Sequence, residues 1–220
     1  MLIRARNVSK VYKLDKVEIH ALKNINLEIG PGDFVSLMGP SGAGKSTLLH
    51  LLGCLDYPTS GSIEIHGQEI QNLTDNKLSV FRNRHIGFIF QSFNLISVLN
   101  VYENVEYPLM IRREKVDKEK VIQTIESVGL LDYMKHRPDE LSGGQRQRVA
   151  IARALVTDPD IILADEPTAN LDSKTGEKII SLLLELNAKN NVTFLCSTHN
   201  EMIAKHAKRV INILDGELLD

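Results

Sequence analysis

Residues 39–47 read GPSGAGKST. Gly39, Gly42 and Gly44 are spaced by the small residues Pro40, Ser41 and Ala43, and are followed by Lys45, Ser46 and Thr47. These residue types suit an anion with many oxygens. Glycine allows a tight loop whose N–H groups converge on phosphate oxygens. Lys45 supplies a point charge for β- and γ-phosphates. The Ser46 hydroxyl can ligate Mg²⁺, and Thr47 can bond an α-phosphate. The spacing G-x-x-x-x-G-K-[ST] carries this chemistry when a strand precedes it and a helix follows. Both flanks fit: apolar DFVSLMG leads in, and STLLHLLGCL leads out.

A phosphate cradle that works with a metal needs an acid. IILADEP supplies one, with Asp165 and Glu166 at the end of an apolar run. A carboxylate at a strand end can reach a metal beside the cradle, so Asp165 is a candidate ligand. Glu166 is then the candidate to polarise a water in line with a γ-phosphate. LSGGQRQRVA, from Leu141 to Ala150, reads as a second anion site. Ser142 is an N-cap, Gly143 and Gly144 allow close approach, and a helix N-terminus follows. It has no lysine, and the chain already holds a better-equipped cradle.

The surrounding elements must position these groups. SIEIHGQEI alternates Ile63 and Ile65 with Glu64 and His66 around a turn glycine, Gly67. DFVSLMG, DIILAD and NVTFLCSTH read as buried strands, and HIGFIFQ as a strand with Ile86, Phe88 and Phe90 on one face. RVINILDGEL predicts a last strand with an Asp-Gly turn. Helical patterns dominate from about Ser92 to Asp158. Asp117 is an N-cap with Val121, Ile125 and Val128 on one face, and Ser142 to Val156 forms a second helix. Ser173 is expected to cap a helix running to about Lys189. Buried strands alternating with helices imply a largely parallel sheet covered on both faces.

A chain of 220 residues, 43% hydrophobic and 25% charged, can bury a sizeable core. A net charge of −2 gives no bulk basic surface for nucleic acid. Cys54 and Cys196 lack metal-ligand spacing and read as reduced core thiols. No segment approaches the roughly 18 apolar residues of a membrane span, and the N-terminus does not read as a signal peptide. A cytoplasmic protein is expected, anchored by something else if it works at a membrane.

The phosphate loop, FIFQ, LSGGQ, ILADEP, ANLD and a strand ending in STH follow one another in this order. LSGGQ lies about twenty residues before the acidic strand end. Across essentially its whole length the chain resembles the nucleotide-binding domain of an ATP-binding cassette (ABC) protein. The resemblance implies an α/β fold: a P-loop NTPase core with a mostly parallel sheet, an N-terminal antiparallel β subdomain and an inserted helical subdomain. Residues 1–91 and 159–220 would form the core, and about 92–158 the helical part of a single domain.

The resemblance also implies an ATPase with ATP and Mg²⁺ that pairs head to tail with a second copy of itself. Each ATP would lie between one P-loop and the partner's Ser142, Gly143, Gly144 and Gln145, which need no lysine because Lys45 acts across the interface. Gln91 would ligate Mg²⁺ with Ser46 and Asp165. Tyr12 would stack on adenine, an interaction worth roughly 1–3 kcal/mol. His199 would hold the γ-phosphate, Glu166 and the attacking water, and Asp172 would sit at the dimer seam. LLGCLDYPTSGSI, RNRHIGFIFQSFNLI and ENVEYPL resemble the lipoprotein-release, macrolide-export and cell-division branch. That branch implies an integral membrane permease as partner, with the chain peripheral on the cytoplasmic face, and no nucleic acid. SFNLISVLNVYENVEYPL, with Phe93, Leu95, Ile96, Leu99, Tyr102 and Tyr107, is expected to supply docking residues. Cys196 stands where the family more usually has an aliphatic residue, without expected consequence. The alternative reading is a membrane-associated regulatory ATPase that gates a cell-wall enzyme.

Overall fold

The computed structural model describes residues 1–15, 17–112, 115–198 and 201–219. In chain order its elements are β1 (Ile3–Leu14), β2 (Val17–Ile29), β3 (Phe34–Met38), α1 (Lys45–Leu52), β4 (Ser60–Ile65), β5 (Gln68–Glu69), α2 (Asp75–His85) and β6 (Ile86–Ile89). Next come α3 (Val101–Ile111), α4 (Lys118–Ser127), α5 (Gly143–Leu155), β7 (Ile161–Asp165), α6 (Ser173–Asn190), β8 (Thr193–Thr198), α7 (Glu201–His206), β9 (Arg209–Leu214) and β10 (Glu217–Leu219).

The strands form two sheets. A six-stranded sheet has the order β10-β9-β3-β8-β7-β6. Its strands from β9 to β6 are parallel, and β10 folds back antiparallel through a hairpin. Asp215 and Gly216 at that turn have φ of 48° and 82°, the paired positive values a tight Asp-Gly turn requires. The second sheet, β2-β1-β4-β5, is antiparallel throughout.

Period-2 alternation divides the parallel strands between two apolar clusters. Ile161, Leu163, Leu195, Val35 and Leu37 face the antiparallel sheet and α1. Ile162, Ala164, Phe194, Cys196 and Phe34 face α3, α4, α5 and α6. Burial on both faces explains why these strands read as unbroken apolar runs. Phe88 and Phe90 share a face, their rings stacked at 5.3 Å.

Parallel pairing places the C-terminal ends of β3, β8, β7 and β6 along one edge. Met38 is opposite Thr198, Asp165 opposite Ser197, and Ile89 opposite Ala164. Gly39, Glu166 and Gln91 all follow that edge, where open α/β sheets place ligands.

Two local expectations change. The cap of α6 is Asp172, not Ser173: its carboxylate accepts from the Thr175 N–H at 3.1 Å, and Ser173 is the first helical residue. The run DNKLSVFRNRH, to which the sequence reading assigns no helix, is α2. Leu78 is its one buried residue, and Thr74 at its N-cap makes no side-chain cap bond, so both usual signals are weak.

Candidate functional site

The phosphate loop is built by close backbone approach. Gly44 has φ 104°, and a Cβ there would lie 2.6 Å from the Ala21 carbonyl oxygen; at Gly39 it would lie 2.2 Å from the Ile213 carbonyl oxygen. Only glycine fits between these carbonyls. The Gly216 N–H donates to the Ala43 carbonyl at 3.0 Å, tying the loop to the β9–β10 turn. Ala43 is buried, whereas Pro40, Ser41, Gly42 and Ser46 are exposed.

Lys45 is 8% exposed, and its ammonium is engaged within the loop. It donates to the carbonyls of Gly39 at 2.7 Å and Pro40 at 3.0 Å. It also stands 3.7 Å from Glu166 Oε1. Ser41, Gly42, Gly44, Lys45, Ser46, Thr47, Gln91 and Glu166 line one open pocket of about 620 Å³.

Glu166 is held in a strained backbone. Its φ is 48°, a left-handed value that costs a residue with a Cβ about 1–3 kcal/mol. Its N–H donates at 3.1 Å to both the Ser197 carbonyl and Ser197 Oγ. Ser197 Oγ in turn donates to Asp165 Oδ1 at 2.5 Å. One hydroxyl therefore orients both acids, a role the sequence reading did not give Ser197. Asp165 does not itself line the pocket; it stands behind Glu166 at the strand end. The Gln91 carbonyl accepts from Asn170 Nδ2 at 2.8 Å, which ties the end of β6 to the loop before α6. Ile19, His20 and Ala21 of β2 form the remaining wall. Nothing in their types marks them as site residues; the fold alone brings them there.

Tyr12 is 36% exposed. Its hydroxyl donates to Asp56 Oδ2 at 3.0 Å, and Lys10 Nζ lies 4.9 Å from its ring centroid. Partial burial raises the phenol pKa, as does the Asp56 carboxylate, while a hydrogen bond with the Thr47 hydroxyl opposes the shift. Tyr12 is thus beside the last residue of the loop. His199 lies outside the described residues.

Ser142 is the N-cap of α5, closed by a capping box. Ser142 Oγ accepts from the Gln145 N–H at 3.3 Å, and Gln145 Oε1 accepts from the Ser142 N–H at 2.8 Å. Gly144 packs on α6, where a Cβ would lie 2.5 Å from Thr175 Cγ2. Among the described residues, neither Ser142–Gln145 nor Asp172 lines the P-loop pocket of its own chain.

The docking segment is sorted by burial. Leu95 and Tyr102 are partly buried against the helical core cluster, whereas Tyr107 stays 42% exposed. Beside that segment, a groove of about 340 Å³ is lined by Leu55, Phe88, Phe90, Asn94, Pro108 and Ile111, among others. No helix among the described residues is long and apolar enough to cross a membrane.

The sequence profile of the ABC transporter family matches residues 22–169, from β2 through both acids. The chain belongs to the ABC transporter family. It is 48% identical over 223 residues to the ABC transporter ATP-binding protein MJ0796 of Methanocaldococcus jannaschii, covering 99% of this chain and 95% of that protein. It is 44% identical to the lipoprotein-releasing system ATP-binding protein LolD of Syntrophus aciditrophicus, covering 99% of each. A solved dimeric structure of MJ0796, in a post-hydrolysis state bound to ADP and Pi, superposes with a TM-score of 0.92 at 46% identity, covering 99% of this chain and 97% of the other. The ABC family assignment makes this an ATP-binding domain with ATPase chemistry.

Proposed function

We propose that this chain is the energy-coupling subunit of a membrane transport complex, which hydrolyses ATP between two head-to-tail copies. The observation that carries the reading is the convergence of Lys45 and Glu166, 3.7 Å apart in a pocket walled by the glycine loop. One group supplies fixed positive charge for the phosphates and the other a base for water. Phosphate oxygens are stronger acceptors than the Gly39 and Pro40 carbonyls, so ATP would take over the hydrogen bonds of Lys45. Glu166, aimed by its left-handed backbone, would accept the proton as water attacks the γ-phosphate, releasing ADP and phosphate. His199 would hold the γ-phosphate, and Tyr12 would stack on adenine.

The donor set also suits Mg²⁺. The Ser46 hydroxyl and the Gln91 amide oxygen share the pocket, the Asp165 carboxylate stands behind it, and all are hard oxygen ligands. When bound there, Mg²⁺ would neutralise phosphate charge.

The exposed Ser142 turn, outside its own chain's pocket, is a helix N-terminus suited to the γ-phosphate held by a second copy. Asp172 would lie at the same seam while capping α6. Residues 92–158 would act as a helical lobe, with the Leu55–Ile111 groove receiving a cytoplasmic helix of a permease. The chain would then sit peripherally on the cytoplasmic face. A relative named for lipoprotein release supports an export or release task of this kind.

Glu166→Gln tests the reading because it keeps size and hydrogen bonding and removes basicity. Steady-state ATP turnover should fall by about 10²–10⁴-fold, the usual worth of a positioned base. ATP should still bind, and an ATP-dependent dimer should appear on gel filtration. Turnover at the wild-type rate would refute the role given to Glu166.

A further inference from the structure

At the opposite edge of the core sheet, away from the phosphate loop, three potential ligands from three elements meet. His66 Nε2 lies 2.9 Å from Asp160 Oδ2, and His85 Nδ1 lies 2.6 Å from the same oxygen. The two imidazole rings are 5.2 Å apart. One ligand atom from each residue falls within 4.8 Å of the others. We propose that His66, His85 and Asp160 form a zinc-binding site, distinct from the nucleotide pocket.

The backbone fixes all three. His66 and Gly67 are the two-residue turn between β4 and β5, with Ile65 paired to Gln68 and φ of 53° and 75° at the turn. The His66 N–H donates to the Leu2 carbonyl at 3.0 Å. His85 ends α2, its ring 4.5 Å from that of Phe81. Asp160 leads into β7: its N–H donates to the His85 carbonyl at 3.0 Å, and its carbonyl accepts from the Thr193 N–H at 3.2 Å. The parallel pairing of Ile86 with Ile161 sets His85 and Asp160 side by side. The backbone holds the three side chains close together before a ligand arrives, which lowers the ordering cost of binding.

The chemistry selects the metal class. Two imidazoles and one carboxylate suit Zn²⁺ with water completing a tetrahedron, whereas Mg²⁺ prefers oxygen donors and octahedral geometry. The Ser46, Gln91 and Asp165 groups suited to Mg²⁺ at the nucleotide pocket are oxygen donors of the second kind. Donors about 2.0–2.1 Å from zinc in a tetrahedron stand about 3.3 Å apart, so the contacts to Asp160 open by less than an ångström and the widest pair, within 4.8 Å, closes by up to about 1.5 Å. His66 and Asp160 face a cleft of about 630 Å³ that also exposes Lys120, Asp158 and Asn191, which gives the ion an entry path and leaves a coordination position open to water. Zinc there would clamp the β4–β5 turn of the antiparallel sheet to the core sheet.

The test uses the full chain, free of any polyhistidine tag, nucleotide-free and in Mg²⁺ buffer. Co²⁺ titration should give one equivalent with the intense visible absorption of a tetrahedral ion, and Zn²⁺ should displace it. Zn²⁺ should also raise the unfolding temperature. His66→Asn keeps a residue tolerant of the left-handed turn. It should shift the metal-free unfolding temperature only slightly, since an exposed pair is worth little, abolish the zinc-induced rise and weaken Zn²⁺ binding by about 100-fold or more, since loss of even an outer partner costs 10–100-fold. Asp160→Asn should weaken binding in the same sense. Absence of saturable Co²⁺ binding would overturn the proposal. So would a six-coordinate spectrum, or Zn²⁺ affinity unchanged in His66→Asn.

Discussion

Glu166 and Lys45 show how residue chemistry and backbone geometry divide the work. Glycine spacing before Lys45 and Ser46, and two acids after an apolar run, are legible because only certain residue types can perform the chemistry. The φ of 48° at Glu166 is not, because nothing in ADEP signals a left-handed backbone; it depends on Ser197, which comes from another strand. The cysteine reading holds for a comparable reason. Both thiols are buried and free, and burial pushes each up to about 12, so neither is a nucleophile at neutral pH. Lys45 carries the prediction at this scale. Lys45→Ala removes a cation whose hydrogen bonds ATP would inherit. Hydrogen bonds to charged groups are worth about 1.5–3 kcal/mol, so affinity for a fluorescent ATP analogue should fall by about 10- to 100-fold at equilibrium. An unchanged dissociation constant would place the nucleotide elsewhere.

Elements were legible where a periodic pattern met a cap. The helix after Asp117 and the helix after Ser142 have both, and both stand where expected. α2 escaped notice because it buries one residue and lacks a side-chain cap, so its helicity is imposed by its neighbours. The docking surface shows the same limit. Hydrophobicity alone singles out Leu95 and Leu99; Leu95 is partly buried against the helical core, and the neighbouring groove is lined by Leu55 and Ile111 among others. These two are 44% and 53% exposed, so charge there need not disturb the core. Ile111→Glu and Leu55→Glu should leave basal ATPase within about twofold of wild type, as surface substitutions usually do. They should abolish co-purification with a co-expressed membrane subunit. Retained co-purification by a folded variant would show that the partner docks elsewhere. Leu95→Glu, by contrast, should lose circular dichroism signal along with activity.

At the scale of the whole molecule, the question is why the capped helix N-terminus at Ser142 is exposed yet outside its own chain's P-loop pocket. A second copy that brings its ATP to this turn answers it, and complementation tests the answer. Lys45→Ala and Ser142→Arg homodimers should each be inactive, the first for want of phosphate binding and the second because the arginine blocks the partner's phosphate. In a heterodimer of the two, one composite site carries both lesions and the other pairs an intact P-loop with an intact turn. Co-expression with two tags should therefore restore part of the ATPase activity if one site can turn over alone. If each turn served its own chain's ATP, every subunit would carry one lesion and nothing would be rescued. Should both sites have to fire together, geometry decides through a Ser41→Cys, Ser142→Cys chain. Both positions are exposed, whereas Cys54 and Cys196 are buried and stay out of the reaction. An oxidative cross-link that forms between chains, and only with ATP, establishes the head-to-tail arrangement; one confined within a chain excludes it.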